Sequence, residues 1–267
     1  MEENRKTALI TGASSGIGFE LAKLFAKDGY NLALVGRNRE QLMKIQEEFQ
    51  KEYNIKVKIC PKDLSISDTP ELIFQSLRAE MIDIDILVNN AGFGWLGSFA
   101  EMDITDALGM LQVNIIALTQ LTHLLLPQMI KRNEGKILNV ASSAAFQPGP
   151  FMATYYASKA YVLSFSLALA EELKGTNITV TALCPGPTAT NFGKRAGFNN
   201  EKIFGGVLTK DAQTIAMAGY KGLMKGKPLV IPGFLNWLGT QIVRFLPRTL
   251  PGKFIKAVQM KRSKQSV

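Results

Sequence analysis

Two hydrophobic periods take turns along the chain. Short apolar runs of strand length, Lys6–Thr11, Asn31–Val35, Lys56–Cys60, Ile84–Val88, Lys136–Ala141 and Ile178–Leu183, are separated by longer stretches with helical spacing. After the first run, Ile17, Leu21, Leu24 and Phe25 fall on one helical face. Further helices are predicted over Arg39–Glu52, about Asp68–Glu80, about Thr105–Lys131 and 153–174, and Leu229–Ile231 is a candidate seventh strand. Regular strand–helix alternation predicts an α/β fold with a parallel sheet and helices on both faces, because parallel strands need crossover connections. No linker or repeat interrupts the pattern before residue 190, so 1–267 reads as one domain. The Gly- and Asn-rich stretch 191–206 is a candidate substrate loop, and 234–267 is a C-terminal extension.

Composition narrows the classes. With 46% hydrophobic and 20% charged residues, the chain has ample material for a core. One His and two Cys supply neither a structural zinc cluster nor a disulfide framework, so no metal is expected. Cys60 and Cys184 each end an apolar run and read as buried thiols. MEENRK followed by TALI does not read as a signal peptide, and no run approaches the roughly 18 apolar residues of a spanning helix. A reducing, cytoplasmic setting is expected. The net charge is +9, yet the last acidic residue is Asp211 and ten Lys or Arg follow it. The excess is therefore a local basic tail, which argues against a nucleic-acid footprint.

The first strand runs into TGASSGIG at Thr11–Gly18. Gly12 permits a sharp turn, while Gly16 and Gly18 allow close approach of backbone to ligand and of helix to strand. The free N–H groups of Ser14, Ser15, Gly16 and Ile17 at the helix start suit a pyrophosphate. A tight strand–helix turn without a ligand has the same spacing; an ATPase loop would need Lys after the last Gly. An acid about 20 residues beyond the glycines would select NAD. Here the second strand ends in Val35-Gly36-Arg37-Asn38-Arg39, with no acid between Asp28 and Glu40. Arg37 can pair with a 2′-phosphate and Arg39 can add charge, which favours NADP (NADPH), although two solvated cations at a helix start look the same.

Tyr155-Tyr156-Ala157-Ser158-Lys159 places Tyr155 and Lys159 four positions apart, on one helical face. A phenol with a reference pKa of about 10 is a poor acid–base group at neutral pH. A neighbouring ammonium, together with the positive nicotinamide of an oxidised cofactor, is expected to lower it. Tyr156 has Ala160 at the corresponding position and cannot do the same. The lone His123 reads as a core or interface residue, and no G-x-S-x-G elbow supports a hydrolase.

With these residues in place, the chain resembles the short-chain dehydrogenase/reductase family. The resemblance rests on TGASSGIG, Asp63, NNAG at 89–92, Asn114, ASS at 141–143, YYASK at 155–159 and PGPTAT at 185–190, in family order over residues 5–190. It implies a Rossmann-like doubly wound sheet of about seven strands, hydride transfer between a nicotinamide cofactor and a carbonyl or alcohol, and homo-oligomers. Ser142, thirteen positions before Tyr155, matches the family's serine better than Ser143 does. The resemblance gives Ser142 the oxyanion, Tyr155 the proton, and Lys159 the nicotinamide ribose. Asn114 would hold a helix distortion and a relay water. Asp63 would meet the adenine edge, Asn90, Ala91 and Gly92 the adenosine and pyrophosphate side, and Pro185, Gly186 and Thr188 the nicotinamide.

Phe93, Trp95, Phe146, Pro148 and the loop 191–206 are expected beyond the strand ends, which points to a hydrophobic or acyl-chain ketone or aldehyde. The tail from Gly233 mixes Phe, Trp and Leu with Arg and Lys; it reads as a peripheral membrane contact, a lid or an oligomer contact, cut into short pieces by Pro247 and Pro251. The alternative class is a non-catalytic NADP-binding scaffold using that tail, and an epimerase of related fold is a further one.

Overall fold

A computed structural model of the chain describes residues 5–189 and 210–264. The candidate substrate loop 191–206 lies outside the described residues. Seven strands form one parallel sheet in the order β3-β2-β1-β4-β5-β6-β9. They are β1 (Thr7–Thr11), β2 (Asn31–Gly36), β3 (Val57–Pro61), β4 (Ile86–Asn89), β5 (Gly135–Val140), β6 (Ile178–Leu183) and β9 (Leu229–Val230). A small parallel pair, β7 (Thr188–Ala189) and β8 (Lys210–Asp211), lies apart from it.

The central strands are largely apolar because both faces are covered. Alternate residues point to opposite sides. Ala8, Ile10, Leu32, Leu34, Ile86 and Val88 face a core closed by α1 (Gly16–Lys27), α2 (Arg39–Tyr53) and α7 (Ala212–Met224). Leu9, Ala33, Val35, Leu87 and Ile137 face the other core, closed by α3 (Thr69–Ala79), α5 (Leu118–Arg132) and α6 (Ala153–Glu172). Large side chains such as Phe25 and Phe49 are wholly buried, each worth roughly 1.5–3 kcal/mol of transfer free energy.

α5 continues α4 (Ile104–Leu111) through a π-helical turn, Gln112–Ala117. The whole run, Ile104–Arg132, is long and apolar enough to cross a membrane by length and composition. Its Leu118, Leu121, Leu125 and Met129 are instead buried in the cores. His123 is exposed on α5, so it is not a core residue. Both cysteines are buried thiols.

α7 has no counterpart in the helices predicted from the pattern. Asp211 caps it, accepting from the Thr214 N–H at 2.6 Å. Its glycines obscure the helical signal but serve packing: a Cβ at Gly219 would lie 2.7 Å from Leu183. The tail forms two helices, α8 (Phe234–Phe245) and α9 (Leu250–Lys264). Pro247 lies between them, as expected. Pro251 does not break a helix; it occupies the first turn of α9, where no intrahelical N–H bond is forfeited.

Between the sheet and the second core runs a buried polar chain. Asn89 Nδ2 donates to Thr122 Oγ1 (3.0 Å) and Asn139 Oδ1 (2.9 Å), Asn139 Nδ2 to Ser166 Oγ (2.9 Å), and Ser166 to the Val162 carbonyl (2.6 Å). Asn139→Ala takes one partner each from Asn89 Nδ2 and Ser166 Oγ and should lower the unfolding free energy by about 1–3 kcal/mol. Urea unfolding with an unchanged slope would show it; a loss under about 0.5 kcal/mol would mean that the chain is energetically idle.

Candidate active site

Strands β1 and β4 are neighbours from which successive strands are added in opposite directions. Helices on either side of such a switch point diverge and leave a cleft at the strand carboxyl ends. The ends are stitched together. Thr11 Oγ1 accepts the N–H groups of Asn90 (2.9 Å) and Ala91 (3.0 Å), while Asn90 Nδ2 donates to the carbonyls of Thr11 (2.9 Å) and Gly12 (3.2 Å). Asn90 is thus a brace for the glycine turn as well as part of the cleft wall. Gly12 has a φ of +66°, and a Cβ there would lie 2.8 Å from Asn90 Nδ2. α1 starts at Gly16, and Ser15 gives it no side-chain cap. Its first N–H groups therefore form an anion site facing the cleft. Gly18 does not line the cleft: it is buried, and a Cβ there would collide with the Gly12 carbonyl.

The far wall is made by the ends of β2 and β3. Arg37 and Asp63 form an ion pair at 3.8 Å, largely exposed on the arginine side. Lys62 lines the same wall; its signal in the sequence was adjacency to Asp63. Arg39 is exposed on the first turn of α2 and does not line the cleft.

Opposite the glycine turn, α6 carries Tyr155 and Lys159. Lys159 is 5% exposed. Its Nζ donates to the Val140 carbonyl at 2.8 Å and lies 5.9 Å from the Tyr155 ring centroid. No carboxylate among the described residues pairs with it. Burial pulls its pKa from 10.5 down to about 8. Burial pushes the Tyr155 phenol up to about 12, and a hydrogen bond with Ser142 only partly opposes it. Ser142, extended at the end of β5, also accepts the Ala144 N–H at 3.1 Å and caps a 3-10 turn, Ser143–Phe146. Between the two serines, it is Ser142 that bonds Tyr155; Ser143 sits in the 3-10 turn and also lines the cleft.

Asn114 sits inside the π-helical turn, one layer behind the cleft. Its Oδ1 accepts the Phe93 N–H (3.1 Å), and its Nδ2 donates to the Phe93 carbonyl (3.0 Å) and Ser158 Oγ (3.0 Å). A Cβ at Gly92 would lie 3.0 Å from Asn114 Oδ1 and 3.3 Å from Lys159 Nζ, so Gly92 separates the two. The turn therefore ties β4's extension to α6 beside the buried ammonium.

Together these walls enclose about 770 Å³. Every residue assigned above to the cofactor or to the chemistry lines it, apart from Gly18, Arg39 and Asn114. Pro185, Gly186 and Thr188 lie at the same end as Ser142 and Lys159. The apolar candidates divide. Phe93 lines the cleft, but Trp95 packs on Gly97, Phe146 packs against the core beneath α6, and Pro148 contacts Gly252 of α9. Val113, Gln147, Met152, Tyr156 and Gln259 line the cleft as well. Gln259 lies on α9, and nothing in its local sequence marks it.

The short chain dehydrogenase family model matches residues 6–200. A very-long-chain 3-oxoacyl-CoA reductase of Anas platyrhynchos is 31% identical over 265 residues, which cover 97% of this chain and 80% of that one. A solved short-chain dehydrogenase from Sphingobium yanoikuyae, in complex with NADPH, superposes with a TM-score of 0.80 at 29% identity, covering 91% of this chain and 97% of its own. The bulky-bulky ketone specific alcohol dehydrogenase from Comamonas testosteroni gives 0.76 at 29% identity, over 90% and 92% of the two chains. A parallel sheet with its glycine turn at the switch point, and Ser142, Tyr155 and Lys159 gathered in one cleft, agree with that match. The chain belongs to the short-chain dehydrogenase/reductase family and is an oxidoreductase whose Rossmann-like fold binds a nicotinamide cofactor and acts on a small molecule.

Proposed function

We propose that the protein reduces the carbonyl of a hydrophobic ketone, aldehyde or acyl-chain substrate, with NADPH as its cofactor. The observation that carries this reading is the hydrogen bond between Ser142 and a half-buried, protonated Tyr155 above the Lys159 ammonium. A dinucleotide fits the residues present: an uncapped helix start beside a glycine turn for its phosphates, and a long cleft from Arg37 to Tyr155. When bound, it supplies a hydride.

The chain's own groups do the rest. Ser142 donates a hydrogen bond to the carbonyl oxygen as negative charge develops. Tyr155 then passes its phenolic proton to that oxygen, leaving a phenolate. A phenol held up to about 12 is fully protonated at neutral pH. Lys159 places a positive charge beneath the phenolate, while Asn114 and Ser158 fix the helix that carries both. A scaffold would need none of these three groups in one place, so the enzyme reading is favoured.

Arg37 with Lys62 on the adenosine wall supports NADPH over NADH, since both can meet a 2′-phosphate. Asp63 already neutralises part of that charge, so the preference should be moderate. Phe93, Val113 and Met152 support an apolar substrate, as do the printed activities of the 3-oxoacyl-CoA and bulky ketone relatives. The continuous seven-stranded sheet, from Thr7 to Val230, supports one domain. Two unpaired thiols support a reducing, cytoplasmic setting. Exposed Ile104, Leu108, Ile116 and Tyr161 support association between copies. On α8, Phe234, Leu235, Leu238, Ile242 and Phe245 form an exposed stripe next to Arg244, which supports peripheral contact with an anionic membrane.

NADPH oxidation against 3-oxoacyl esters and bulky ketones should exceed NADH oxidation at least about tenfold in kcat/KM. Tyr155→Phe should reduce turnover by about a hundredfold or more while NADPH still binds. Arg37→Ala should close the NADPH–NADH gap; equal use of both by the wild type would remove the NADPH assignment. Turnover surviving in Tyr155→Phe would remove the proton donor. For the tail, Phe234→Ser with Phe245→Ser should lower co-sedimentation with anionic vesicles several-fold, and unchanged co-sedimentation would discard the membrane contact.

A further inference from the structure

A helix lying on a protein in water turns its apolar side inward. α8 is mounted the other way round. Its one buried residue is Thr240, 4% exposed. Asn236, one turn earlier on the same side, packs on Gly186, where a Cβ would lie 2.4 Å from Asn236 Nδ2. The outward side carries Phe234, Leu238, Ile242 and Phe245 at helical spacing, with Leu235 and Trp237 beside them. Phe234 is 71% and Phe245 88% exposed, and Trp237 stacks on Phe234 with ring centroids 5.8 Å apart. α9 repeats the arrangement: Gln259 is buried against Met152 and Tyr156, while Phe254 is 71% exposed. Residues 234–267 contain seven Lys or Arg and no Asp or Glu. Arg244, Arg248, Lys253 and Lys256 are exposed and interleaved along the chain with Phe245 and Phe254. No carboxylate among the described residues pairs with any of the four.

Both helices are built onto the chemical end of the cleft. α8 touches Gly186 and the Ser143–Phe146 turn, and α9 touches Pro148, Met152 and Tyr156. Gly186, Ser143, Met152 and Tyr156 line the cleft together with Ser142 and Tyr155. A helix is about 10 Å across, so the apolar side of α8 lies about one helix width from the wall it packs on. We infer that the protein draws its carbonyl substrate from the surface of an anionic bilayer. α8 and α9 lie in the headgroup layer, and the substrate is a lipid-soluble carbonyl compound that passes from that layer into the cleft. This source for the substrate rests on the carbonyl and membrane-contact readings above. An acyl chain that left the bilayer for open water would expose every CH2, and a cleft wall beside the bilayer avoids most of that cost. Charge selects lipid over a second copy of the chain. Two copies paired through this face would set cation against cation with no carboxylate between them, whereas an anionic leaflet attracts each one. Exposed Phe and Trp suit the same boundary.

The test compares a lipid-borne and a water-soluble substrate of one class, ethyl 3-oxohexadecanoate and ethyl 3-oxohexanoate, with full-length enzyme and NADPH. Equal amounts of the long ester are carried in vesicles of phosphatidylcholine alone or of phosphatidylcholine with phosphatidylglycerol. The anionic vesicles should give a rate about tenfold higher than the neutral ones. More anionic lipid at constant total ester should slow the reaction in proportion to the fall in surface concentration. Phe234→Ser with Phe245→Ser should bring the anionic rate down to the neutral one and leave reduction of ethyl 3-oxohexanoate in buffer unchanged. Arg248→Gln with Lys253→Gln should act in the same direction through charge alone. Equal rates on the two kinds of vesicle overturn the inference, and so do variants that slow both esters alike. A wild type that co-sediments with anionic vesicles yet gains no rate there overturns the lipid supply and leaves the membrane contact standing. Absence of co-sedimentation removes both, and a dimer lost in Phe234→Ser with Phe245→Ser would then assign the face to a second copy. If neither ester is reduced under any condition, the carbonyl reading falls and the lipid supply with it.

Discussion

One buried ammonium constrains the chemical end of the cleft. Lys159 is 5% exposed and rests on a single backbone carbonyl, that of Val140. No carboxylate among the described residues pairs with it, so burial costs it charge stability, and a fall in pKa from 10.5 to about 8 corresponds to about 3 kcal/mol. A fold selected for stability alone would place an apolar side chain there. Its neighbours are fitted to it: Gly92 leaves room between Nζ and Asn114, the π-helical turn aims Asn114 at Phe93 and Ser158, and β5 delivers both the Val140 carbonyl and Ser142.

The rest of the cleft follows from sheet topology. Because strands are added in opposite directions from β1 and β4, the helices that follow them part at the carboxyl ends. Thr11 and Asn90 hold that seam closed through four hydrogen bonds, each pairing a side chain at one strand end with the backbone at the other. The phosphate site and the proton donor are therefore set on opposite walls of one rigid gap rather than on loops.

Much of this was legible in the sequence because it is local. Strands covered on both faces are continuous apolar runs, and Ile178–Leu183 has the same bounds in pattern and structure. The glycine turn and the Tyr155–Lys159 spacing each carry their geometry within eight residues or fewer. What escaped the sequence depends on distant packing. The burial that pushes the Tyr155 phenol up is not visible in spacing, whereas the proximity of a cation is. Trp95, Phe146 and Pro148 looked like substrate contacts because apolar character does not say which way a side chain points. α7 was hidden by glycines that packing requires, and Gln259 reaches Tyr156 across 103 positions with no motif around it.

The most direct measurement of this account is the pH dependence of kcat/KM for carbonyl reduction with NADPH, taken from pH 6 to pH 10 at a fixed substrate. Lys159 carries its charge below about 8 and loses it above, while Tyr155 stays protonated up to about 12. The rate constant should therefore be level at low pH and fall through a single ionisation near 8, approaching tenfold per pH unit beyond it. A profile that stays level to pH 10, or that rises as the pH increases, would contradict the buried ammonium as the support of the proton donor.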